Sequence, residues 1–205
     1  MEATKKKGYV KFFQEPPKSM YERHIFDKTI DELVKETHPP IYNKGQYPFF
    51  DDFGEQIFGF YEHWSLKDDW ENFSEVKKWK YVALCNKYKL ECRTDNSKEE
   101  NKEIVFYKSV DELVKMSYPS YEGQHPLFQK FGVRTGGICD YWQFISGWET
   151  FPEIEKWEYV ALCAIYWNEF ITCKEDWEDY DIYLEFLKER GDFEEYKRLK
   201  NLENF

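Results

Sequence analysis

The sequence is short of the residues that usually announce chemistry. Its five cysteines, Cys85, Cys92, Cys139, Cys163 and Cys173, are odd in number, and none stands in a CxxC pair. That argues against a secreted disulfide framework and fits a reducing compartment. The four histidines, His24, His38, His63 and His125, have no partners at metal-ligand spacing. No metal and no cofactor are therefore expected. Positive charge is also scarce: 29 Lys and Arg stand against 40 Asp and Glu, a net charge of −11. A chain so acidic is a poor candidate for gripping phosphates, so no direct nucleic-acid partner is expected. No apolar run approaches a membrane span or the core of a signal peptide, and a soluble, cytoplasmic protein without a membrane partner is the expectation. Nucleophile elbow, phosphate loop and dinucleotide fingerprint are all missing; Gly136-Gly137 is a glycine pair that the first half of the chain does not share. The chain reads as a non-enzyme.

What is present is a repeat. WENFSEVKKWKYVALC (70–85) matches WETFPEIEKWEYVALC (148–163), and GQYPFFDDFG (45–54) matches GQHPLFQKFG (123–132), both at an offset of 78. FDKTIDELVK (26–35) matches FYKSVDELVK (106–115) at an offset of 80. Such self-similarity implies two structural units of one architecture. Aromatic residues are abundant, with 16 Tyr, 18 Phe and 8 Trp. Trp64, Trp70 and Trp79 recur as Trp142, Trp148 and Trp157, and these six are the expected anchors of the repeated core or of the seam between copies.

Local signals suggest an α+β fold, mainly antiparallel sheet, built from a tandem ββα(α) unit and closed by a C-terminal helical hairpin. Thr29 with Glu32, and Ser109 with Glu112, form capping-box patterns that open short helices, and His38-Pro39-Pro40 and Pro119 end them. Strands are expected over 8–14, 21–28, 80–92, 103–109 and 158–173, the YVALC motifs among them. Gly54 and Gly132 are expected to end short helical turns. Gly191 and Asp192 should separate the two tail helices. The corresponding division is a frayed 1–7, a first lobe over 8–79, a second over 80–157, and a closing strand with an acidic helical tail over 158–205.

Cys85 and Cys163 are read as small core residues, and Glu75 and Glu153 as structural partners of the nearby tryptophans. The one grouping that could suggest catalysis is Asp140, Tyr141, His125 and Arg134. From Glu175 to Glu195 ten acids meet two bases, a local charge of −8. Within it, Glu175, Asp176, Trp177, Glu178, Asp179, Tyr180 and Asp181 combine carboxylates that steer association with rings that supply contact. They form the candidate site for a protein partner with a basic surface. The expected function is an acidic interaction module, an inhibitor occupying a nucleic-acid-handling site on that partner. The alternatives are a small-ligand or carbohydrate module using the repeated Trp and Tyr, and an enzyme with an unrecognised site. The sequence leaves the oligomeric state open.

Overall fold

A computed structural model describes residues 27–39, 48–57, 63–94, 107–119, 126–135 and 141–202. The frayed 1–7, the strand expected over 8–14, and residues 21–26 and 103–106 of those expected over 21–28 and 103–109 lie outside these residues, and the described 27–28 and 107–109 are not strand. The chain divides into two compact units: His24–Asn168, and Met1–Arg23 with Glu169–Phe205.

The same succession of elements occurs twice from His24 onward, the last helix of the second series running on past Asn168. Helix α1 (Ile30–Glu36), the short α2 (Pro48–Asp51), strands β1 (Gly54–Ile57) and β2 (His63–Leu66), a 3-10 turn (Trp70–Asn72) and helix α3 (Glu75–Thr94) form the first series. Helices α4 (Val110–Lys115) and α5 (Pro126–Phe131), strands β3 (Gly132–Thr135) and β4 (Tyr141–Phe144), a 3-10 turn (Trp148–Thr150) and helix α6 (Glu153–Arg190) form the second. Both strand pairs are antiparallel, with Gly54 opposite Leu66 and Gly132 opposite Phe144. The protein is thus mixed helix and strand, with small two-stranded sheets.

The YVALC segments are helix, not strand, which corrects the framing of a unit that starts on strands at Tyr81 and Tyr159 and removes the closing strand. The reason is burial. Residues 81–86 and 159–166 are buried on every side, and a helix enclosed all round shows the same unbroken apolar run as an enclosed strand. The start signals for a helix stand in the sequence: Ser74 Oγ accepts from the Lys77 amide, and Pro152 directly precedes Glu153.

Both capping boxes form. Thr29 and Ser109 accept from the amides of Glu32 and Glu112, whose carboxylates accept from the cap amides in return. These backbone and hydroxyl donors hold both carboxyls below the usual Glu range. Because the folded-state value is the lower one, the caps act in full above the ordinary Glu range and are lost as pH falls through the lowered value.

Each copy is centred on one tyrosine. The Tyr81 ring stacks on Phe53 at 4.2 Å and 20°, and that of Tyr159 on Phe131 at 4.4 Å and 23°. Phe73 and Phe151 meet the same phenylalanines edge-on. Inside the apolar core each phenol needs an acceptor. Tyr81 donates to the Thr37 carbonyl at 2.9 Å and Tyr159 to that of Ser117 at 3.0 Å, just past the ends of α1 and α4. The copies meet within this unit where Asn168 Nδ2 donates to the Asn86 carbonyl at 2.9 Å and where Lys80 lies over the Trp157 ring.

The second unit, in its described part, is the latter half of α6 with helix α7 (Phe193–Leu202). Tyr180, Tyr183, Leu184 and Leu187 of α6 enclose Leu199 of α7, with Trp177 and Tyr196 packed on the cluster. Gly191 at φ 78° ends α6. Its amide returns to Lys188 and that of Asp192 to Leu187, the paired closure that favours glycine at this position. The expected hairpin is present, although its first helix is the end of a 38-residue one.

Gly132 directly follows the last residue of α5 and Gly54 follows α2 after two residues, neither with a positive φ, and both open strands. A Cβ on Gly54 would stand 2.7 Å from the Trp64 indole and 2.4 Å from the Ser65 carbonyl, and Gly132 meets Trp142 and Gln143 in the same way. Gly54→Ala and Gly132→Ala should each destabilise the fold by about 1–3 kcal/mol, since the contacts are backbone and a rigid ring. Urea unfolding of the two variants checks this, and parental midpoints would refute the close packing.

Candidate functional site: an acidic helix face

The latter half of α6 carries the acidic segment, and the helix sorts its residues by face. Glu175, Glu178, Asp179, Glu185 and Glu189 recur at helical spacing on one side and are exposed. Ile182, 54% exposed, sits in the middle of that face. The opposite side is the core: Tyr180 is fully buried and Trp177 is half-buried, its ring edge-on to Tyr180 at 5.6 Å. Asp181 is exposed on the flank and Asp176 is half-buried. The structure therefore brings together the exposed carboxylates and turns the Tyr180 ring inward. The apolar group within the acidic face is Ile182, which the sequence reading missed. Its signal was present: Ile182 follows Glu175, Glu178 and Asp179 by seven, four and three residues.

These carboxylates are lightly engaged. Lys174 lies 3.8 Å from Glu178, with both side chains exposed, a spacing worth little in water. Among the described residues, no ion pair involves Glu175, Asp179, Glu185 or Glu189.

The repeated tryptophans are interior groups. Trp70, Trp79, Trp148 and Trp157 are buried, while Trp64 and Trp142 are half-buried against their glycines. Trp157 Nε1 donates to Glu153 at 3.0 Å. The four buried indoles, Trp70, Trp79, Trp148 and Trp157, have no open face to stack on a sugar ring. Of the grouping around Arg134, His125, Asp140 and the Tyr141 side chain lie outside the described residues, and Arg134 itself is exposed. Among the described residues no His, Cys, Asp and Glu cluster could hold a metal, and no helix is long and apolar enough to cross a membrane.

One repeated pair escaped the sequence reading. Lys78 and Lys156 are buried, each pairing at 2.7 Å with an aspartate on the opening turn of the short helix, Asp31 or Asp111. Each also donates to a carbonyl of the 3-10 turn, Glu71 or Glu149, and lies over Trp70 or Trp148. This arrangement ties three elements together. Its sequence signal is the Lys-Trp pair that recurs at the 78-residue offset.

Cys85 and Cys163 sit one helical turn beyond the central tyrosines and are wholly enclosed. Burial pushes both thiols far above the usual cysteine range, so they stay protonated and unreactive. No family model matches the chain, and no curated protein or solved structure matches it either. Labelling with a thiol reagent at about pH 8 should leave Cys85 and Cys163 unmodified in the folded protein and modify both in denaturant. Peptide mapping reads the outcome, and rapid labelling of either in the native state would overturn their assignment to the core.

Proposed function

We propose that this chain is a non-enzymatic interaction module whose acidic α6 face occupies a basic, nucleic-acid-handling site on a partner protein. The observation that carries the reading is the exposed row Glu175, Glu178, Asp179, Glu185 and Glu189 around Ile182. A rigid helix holds these carboxylates at fixed spacing, as a phosphate chain holds its charges, and the apolar centre supplies a contact that water does not screen. Charge of this kind acts mainly on the rate of encounter. The face is separate from the residues that hold the fold, because Tyr180, Tyr183, Leu184 and Leu187 point the other way. The tandem unit then serves as a scaffold: two copies of one aromatic core, with the binding surface on the helix that leaves the second.

The test is capture of basic proteins from a nuclease-treated lysate at low and high salt, with duplex DNA as competitor. Capture should fall with salt and with DNA. A variant with Glu175, Glu178 and Glu185 changed to Gln and Asp179 changed to Asn should fold as the parent, since exposed charges contribute little to stability. It should associate at least roughly tenfold more slowly and lose its salt dependence. Undiminished, salt-dependent capture by this variant would contradict the proposal.

A further inference from the structure

The two copies are each other's control. Where both have the same backbone but different surfaces, the fold does not dictate the difference. Just beside the short helix, the first copy presents Asp27, Glu36 and His38, all exposed, with Lys89 of α3 at their edge. Lys28 pairs with Glu36, and His38 is held below its ordinary pKa by desolvation and by the Lys89 charge, so these groups are neighbours. At the equivalent positions the second copy carries Tyr107, Met116, Tyr118 and Trp167. Tyr107 is 81% exposed, Tyr118 55% and Met116 46%. Trp167 meets the Tyr118 ring edge-on at 5.6 Å and donates to the Tyr118 carbonyl at 2.9 Å, which holds that aromatic pair in place.

Large apolar groups exposed where the other copy carries charge are of the kind that marks an interface. Two lysines stand at the rim of the patch, one of them, Lys108, near the Glu112 carboxylate. Lys108 occupies the position of Lys28, but Met116 stands where its carboxylate partner would be. Lys87 of α3 reaches the Met116 carbonyl at 3.3 Å. The surface is thus aromatic, with one methionine and with lysines at its edge, and the acidic row around Ile182 on α6 is its complement in both polarity and charge.

We propose that the Tyr107, Met116 and Tyr118 surface of the second copy is a docking site for the acidic α6 face of a second molecule of this chain. The inference rests on the reading of that face as a protein-binding surface, and it names one partner for it. Ile182 enters the patch between the rings and Met116, while the flanking carboxylates meet Lys108 and Lys87. Because the two surfaces differ, the contact is heterologous, and each molecule retains one of each.

Sedimentation velocity across a concentration series, at low and high salt, reads the association. The patch variant Met116→Glu/Tyr118→His installs the residues that the first copy carries at these positions. Tyr118→His alone serves if the double variant melts early. The face variant is Asp179→Lys/Ile182→Lys. Each alone should associate at least about tenfold more weakly than the parent, the loss expected from an interface centre. An equimolar mixture of the two should recover a one-to-one complex, since each supplies the surface that the other lacks. A parent that is monomeric at every concentration, variants that associate like the parent, or a mixture that fails to recover would each overturn the proposal. A monomeric parent that still captures basic proteins through α6 overturns only this inference, and a self-associating parent that captures none overturns only the function proposed above.

Discussion

A phenol buried in an apolar core must find an acceptor, and in this protein that requirement organises everything around it. Tyr81 and Tyr159 project from α3 and α6 into the middle of each copy. The acceptors are the carbonyls of Thr37 and Ser117, released from the helical ladder at the ends of α1 and α4. That bond places the short helix on the long one. Once it is placed, Asp31 and Asp111 stand within reach of the buried Lys78 and Lys156, and the lysines in turn secure the 3-10 turns. The Phe53 and Phe131 rings stacked on the phenols lead into Gly54 and Gly132, where the absent side chain admits an indole from the adjacent strand. Tyrosine, lysine and glycine form one chain of dependence in each copy.

The copies agree in their interiors and differ on their surfaces. Stacking distances, phenol bonds and buried lysine pairs recur almost unchanged, because each is fixed by packing or by the need to satisfy a buried polar group. Nothing of that kind constrains the outer face. There, Glu36 and His38 have become Met116 and Tyr118, and the latter half of α6 has gathered a row of acids. The interaction surfaces proposed for this protein lie in what the repeat does not share.

Much of this was legible in the sequence. The capping boxes at Thr29 and Ser109, the tail turn at Gly191 and the equivalence of the two tryptophan sets all follow from local chemistry or from the offset. The YVALC segments did not, since an eight-residue apolar run such as 159–166 has no periodicity to separate an enclosed helix from an enclosed strand. The role of Gly54 and Gly132 was hidden for another reason: it depends on a tryptophan across the hairpin, not on φ. Tyr180 was misjudged because its acidic neighbours suggested exposure, whereas helical spacing alone puts it opposite Glu175 and Glu178, on the side of Tyr183, Leu184 and Leu187. Charge density in a segment says nothing about which side of a helix each residue takes.

If the buried phenols hold each copy together, removing either should cost what a large buried aromatic costs, and the two should cost alike. The direct measurement is equilibrium urea unfolding of Tyr81→Ala and of Tyr159→Ala. The account predicts a loss of about 3–5 kcal/mol in each variant, equal between the copies to within the spread of such measurements. Parental stability in either one, or a loss confined to one copy, would contradict it.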